Sequence, residues 1–154
     1  MIRRVLLFIF ILSLAGGLLT GCGAATAASS SSSATATEHE MSMAPMSMMP
    51  DEVKSAPLVT QQAYLFAVAH PEVTQHIPCY CGCGAMGHTS NYACYVENVA
   101  ADNTVKFDLH AIGCSICVDI TLDAMRLTKE GKSPQDIKAY VDKTYSQYGP
   151  SNMK

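Results

Sequence analysis

The chain has 154 residues, of which 49% are hydrophobic and 15% charged, with no Trp, seven Cys and nine Met. This length suits one small domain and excludes a large two-domain enzyme. The net charge is −3, and setting aside Arg3 and Arg4 leaves 8 basic residues against 13 acidic ones, a net of −5, which speaks against a nucleic-acid or polyanion partner.

Residues 1–21 read as a secretory signal. Met1-Ile-Arg-Arg4 is positive, and Val5 to Leu19 is an apolar run of about 15 residues, short of the roughly 20 that a spanning helix needs. The run ends in Leu19-Thr-Gly-Cys22, the pattern of a bacterial lipobox, in which Cys22 becomes the acylated first residue of the mature protein. Two or three acyl chains anchor a protein stably where one is marginal. The expectation is a lipid-anchored protein on the extracytoplasmic face of the cell membrane, with the bilayer as a partner.

Residues 22–55 read as a disordered tether. Gly23 to Thr37 contains only Gly, Ala, Thr and Ser, so it has nothing from which to build a core. His39 and five methionines follow: Met41, Met43, Met46, Met48 and Met49. Pro45 and Pro50 interrupt any helix or strand there. Thioethers are soft ligands that select Cu(I) over zinc, calcium or magnesium. This stretch therefore reads as an auxiliary copper-capture segment, with compositional drift in a spacer as the plainer alternative.

Residues 56–149 read as mainly α: a small single domain of about four helices with a long Cys-rich loop insert, followed by a tail over 150–154. Leu58 to Ala69 is apolar and rich in helix formers. Pro71 breaks it after His70, a candidate cap, and opens a short turn to His76. Gly113 to Glu130 carries Ile116, Ile120, Ala124 and Leu127 in one stripe. Ser133-Pro-Gln-Asp136 opens a last helix with a cap, a Pro at the first position and an acid at the third. Ile137, Val141, Tyr145 and Tyr148 should form its core face. Between the helices, Tyr95-Val96 and Val105 to Leu109 can pair as a short hairpin.

Six Cys fall in the insert and at the start of the following helix: Cys79, Cys81, Cys83, Cys94, Cys114 and Cys117, with His76, His88 and His110 inside or beside the same window. In a loop, Gly82 and Gly84 let the backbone curl so that the first three thiols converge. Cys114 and Cys117 share a helix face, and a helix N-terminus favours thiolate over thiol. Three readings compete. Disulfides suit an even count in an extracytoplasmic protein, but each Cys of Cys-x-Cys-x-Cys then needs a separate partner at about 5.5 Å between Cα atoms. Zinc takes four ligands, fewer than the sulfurs present. Cu(I) accepts low-coordinate and shared thiolates, so six can hold a small polynuclear cluster, and copper alone gives the Met stretch a role.

The run His70-Pro-Glu, Ile77-Pro-Cys-Tyr-Cys-Gly-Cys-Gly84, Gly87-His88, Asn91 and Cys94, with His110, Cys114-Ser-Ile-Cys-Val-Asp119 and Gly131-Lys-Ser-Pro134, resembles the PCYCGC-motif lipoprotein family over about Ala63 to Tyr145. The resemblance implies a bacterial, chiefly Gram-positive, surface lipoprotein and supplies no function. On the residues themselves, the six clustered Cys with His76, His88 and His110 are candidate metal ligands, for Cu(I) first and zinc second. The expected role is capture, storage or delivery of Cu(I), with a copper donor or acceptor protein as partner and no catalytic residue. Two alternatives stay open. One is a thiol–disulfide redox protein using Cys114 and Cys117, against which no parallel-sheet pattern surrounds them. The other is a surface domain merely stapled by zinc or disulfides.

Overall fold

A 12-residue run of helix formers between Pro57 and Pro71 folds as expected into a helix, Leu58–Ala69. The computed structural model describes residues 41–154. The signal segment 1–21, Cys22 and His39 lie outside the described residues. In chain order, the helices are α1 (Asp51–Lys54), α2 (Leu58–Ala69), α3 (Pro71–Thr74), α4 (Ser115–Lys129) and α5 (Pro134–Tyr145). Strands β1 (Val96–Val99) and β2 (Val105–Phe107) form an antiparallel pair between α3 and α4. The domain is mainly α, with the Cys-rich insert between α3 and α4.

Three helices carry the core: α2 packs on α4, and α4 on α5. Along α4 the buried stripe is Cys117, Ile120, Thr121, Ala124 and Leu127. Ile116, expected in that stripe, is only partly buried, because Cys117 occupies the inward position instead. On α5, Ile137, Val141 and Tyr145 face inward as expected, and the Ser133 hydroxyl accepts from the Asp136 N–H as its cap. Tyr148 departs from expectation at 58% exposure, because the chain tightens into a 3-10 turn over Ser146–Tyr148 and loses the helical period. Asp123 joins the two helices by accepting from Tyr145 Oη (2.7 Å) and Tyr140 Oη (3.2 Å) while pairing with Arg126.

The folded unit begins upstream of residue 56, which corrects the expected tether boundary. Met49 and Val53 are core residues at 2% and 0% exposure, and Met41, Met43 and Met46 pack against that core. The backbone is tied down as well. Ala44 N–H donates to Leu65 O at 3.1 Å, and Ser42 O lies 2.7 Å from His70 Nε2. Gln61 secures the end of α1 by donating to Lys54 O and Ala56 O. His70 sits at the start of α3 without capping it through its side chain, and its ring stacks on Phe66. Only Met48 among the five is exposed. Capture by a free-moving Met segment thus gives way to a strap that covers α2. The physical reason is that a flexible thioether chain fills irregular gaps, and each full burial contributes about 1.5–3 kcal/mol.

Candidate metal centre

The insert leaves α3 at Ile77-Pro78 and curls back through Gly82, whose φ of +84° is the left-handed conformation that a Cβ would strain. A second left-handed turn falls at Gly87 rather than at the expected Gly84. A 3-10 turn over Cys83–Met86 follows, then another over Tyr92–Cys94. On the far side, a 3-10 turn over His110–Gly113 leads into α4, with Cys114 at its N-cap position and Cys117 in its first turn. Three separate stretches of chain therefore deliver thiols to one place.

A buried polar network fixes α4 against the insert. Asn91 Nδ2, Tyr95 Oη and Thr121 Oγ1 all donate to the Cys117 carbonyl, at 3.3, 2.8 and 2.9 Å. Thr121 Oγ1 also bonds Asn91 Oδ1 at 2.8 Å, and Asn91 N–H donates to Ile77 O. Fully satisfied buried networks of this kind specify one arrangement, since any displaced member is left unpaired in a low-dielectric interior.

All six thiols are free. Cys79 Sγ lies 3.2 Å from Cys117 Sγ and 3.4 Å from Cys81 Sγ, and Cys81 Sγ lies 3.5 Å from Cys117 Sγ. Cys83 and Cys94 form a second pair at 3.6 Å. A disulfide needs about 2.05 Å, whereas two thiolates on one tetrahedral ion at 2.3 Å each are about 3.7 Å apart. The spacing approaches the second value. The donor atoms fall into overlapping sets, each within 4.8 Å: Cys81, His110, Cys114 and Cys117; Cys83, His88, Cys94 and His110; Cys79, Cys94 and Cys117; and Cys79, Cys81 and Cys83.

The thiols of the cluster shift one another's titration through their hydrogen bonds. Hydrogen bonds from Cys117 and then Cys94 pull the Cys79 thiol down to about 2. The same bond to Cys79 pushes Cys117 far up, and burial raises Cys81 and Cys83. The mutual hydrogen bonds thus lower the Cys79 thiol and raise that of Cys117.

The imidazoles divide. His88 and His110 stand edge to face at 5.2 Å between ring centres, and His110 Nε2 is 3.6 Å from Cys81 Sγ. Asp108 orients the His88 ring by accepting from Nε2 at 3.3 Å, and it fixes the backbone of His110 by accepting from its N–H at 2.8 Å. Its own carbonyl accepts from Tyr64 Oη. With the proton on Nε2, His88 keeps a bare lone pair on Nδ1, and that buried atom has no hydrogen-bond partner. A metal-binding His is held in this way by a carboxylate on its other nitrogen. His76 is not brought to the cluster. It is exposed, and its Nδ1 turns back to Glu72 O at 2.9 Å, as its place just past α3 allows. Met86, next to the Cys run, points to solvent at 57% exposure.

Asn152 is the residue that the sequence reading missed. Its Oδ1 accepts from Cys79 N–H at 2.7 Å, and its backbone N–H donates to Cys79 O at 3.1 Å. Its Nδ2 donates to Cys83 Sγ at 3.4 Å and to Ser90 O at 3.1 Å. Gly149 makes the approach possible, since a Cβ there would meet Tyr80 O at 2.8 Å. The signal available beforehand was Gly149-Pro150, which reads as a helix stop but not as a turn back onto the Cys loop.

No curated protein and no solved structure matches the chain. The Cys-Tyr-Cys-Gly-Cys run that curls into this cluster is the hallmark by which a family model does match: it covers residues 9–152, and the chain belongs to the family of proteins of unknown function with PCYCGC motif.

Proposed function

We propose that the protein binds Cu(I) as cargo in its Cys/His centre, for storage or delivery, and that Cys22 holds it by lipid to the extracytoplasmic face of the cell membrane. One observation carries the copper reading: six free thiols and two imidazoles converge in overlapping sets, with a buried His88 nitrogen left unpaired. Six sulfurs exceed what one tetrahedral zinc takes, and Cu(I) is the soft ion that accepts shared thiolates. Loading releases the thiol protons to solvent. Transfer to or from a copper protein proceeds by ligand exchange, one Cu–S bond forming as another breaks, with copper staying at +1 and no electron moving. The Met strap takes no part, because packing accounts for it.

A second reading has its own support. Cys81, Cys114, Cys117 and His110 match the donor set of a structural zinc site. The two readings separate on the full chain, purified anaerobically in detergent and titrated with Cu(I) and Zn(II) against competing chelators. Copper bound at one equivalent or more, and displacing zinc, supports the proposal. A single zinc that copper cannot displace replaces it with the structural reading. Three disulfides, no metal and disulfide reductase activity would establish the redox alternative instead.

A further inference from the structure

The sulfur and imidazole donors are not equally sheltered. Cys83 and Cys94 are at 2% and 0% exposure, and the His88 side chain is at 11%. By contrast, Cys81, Cys114 and His110 are half-buried and reach the surface, with only Cys117 of their set buried. His110 belongs to both four-donor sets. Cys79 is fully buried and lies in three-thiol sets with members of each.

Resting on the copper reading above, we infer that the centre is two unequal metal sites in series. Cys81, Cys114, Cys117 and His110 form an outer exchange site, and Cys83, Cys94 and His88 form an inner retention site, joined through Cys79 and His110. The chemistry follows from exposure. An incoming thiolate from a donor or acceptor protein can reach a metal on the outer set and build a shared-ligand intermediate there. A metal on the inner set is closed to an outside ligand and leaves only by passing to the outer set. That passage makes one bond to Cys79 or His110 for each inner bond broken, again without electron transfer. Asp108, which holds the His88 imidazole and the His110 backbone, and Asn152, which holds Cys79 and Cys83, keep the two sets in register.

The test is release kinetics. The full chain is saturated with Cu(I) anaerobically, and an excess of a coloured bidentate Cu(I) chelator is added. Two equivalents at saturation, leaving in two phases whose rates differ at least tenfold, are expected. Cys114→Ser, at a half-exposed position, should remove the fast phase and lower saturation to one equivalent. His88→Asn should remove the slow phase and leave the fast one. A single phase in the unaltered protein, or loss of both phases in equal measure in either variant, overturns the arrangement. Saturation at one equivalent overturns the two-site arrangement while leaving the copper reading in place. No bound copper overturns both.

Discussion

Met49 lies at 2% exposure inside the apolar core, whereas the thiols of Cys79, Cys81 and Cys117 face one another at 3.2–3.5 Å. Both stretches are rich in sulfur, and the difference lies in what else the sulfur can touch. A thioether has no proton to give and little need to accept one, so burial against α2 satisfies it. Thiols turned toward each other trade packing for weak mutual hydrogen bonds, an arrangement with little to offer stability on its own. Sulfur content is therefore a poor sign of a metal site, and convergence with an unpaired buried nitrogen is a better one.

The sharpest break of that comparison is Met49→Ala. It should cost about 2–5 kcal/mol, as core truncations do, and leave the metal stoichiometry unchanged; a fall in bound metal at equal folding would return the strap to the site. Met48→Ala, at an exposed position, should move stability by no more than about 0.5 kcal/mol. Chemical denaturation with metal analysis reads both.

Next in size is the metal itself. At a free concentration of about a hundred times Kd, binding adds about 2.7 kcal/mol, so chelation should lower Tm by roughly 10–20 °C. Thermal melts before and after chelation measure this, and an unchanged Tm would count against a filled Cys/His centre.

Smaller effects belong to the groups behind the ligands. Asn152→Ala and Asp108→Asn should each weaken Cu(I) binding about 10–100-fold while the fold is kept, as outer hydrogen-bond partners commonly do. Chelator competition gives the value. Unchanged affinity in both would mean that neither group positions the centre.

The smallest effect is on pH dependence of the metal-free form. Burial raises the Cys81 and Cys83 thiols above their ordinary value of 9.0. A raised folded value gives stability that is present below the unfolded value and is lost as pH rises through the folded one. Metal-free protein should thus lose stability as pH climbs past 9, and metal-bound protein, whose thiolates are already compensated, should lose less. Paired melts across that range decide it.

Much of this was legible beforehand. The limits of α2 followed from the apolar run of helix formers Leu58 to Ala69 and the break at Pro71, and the start of α5 from Ser133, Pro134 and Asp136. The gathering of thiols by a glycine-bearing loop was legible too, since spacing and backbone freedom are local properties. The packing of Met41–Met49 was not, because no period marks a strap that is held by contacts with later segments of the chain. His76 looked as good a ligand as His88. The end of α3 turned the His76 ring back to Glu72 O, whereas Asp108 holds the His88 ring with its other nitrogen among the sulfurs.

By itself, then, the sequence determined the candidates: six thiols in one window, with His76, His88 and His110 inside or beside it, and helices to frame it. The tertiary structure alone decided how those donors are partitioned. It buried Cys83 and Cys94, left Cys81 and Cys114 near the surface, brought Asn152 back onto Cys79, and set Asp108 behind the His88 imidazole and the His110 backbone. Each of these depends on contacts between segments far apart in the chain, and no local rule of spacing or propensity encodes which of two equivalent side chains ends up facing water.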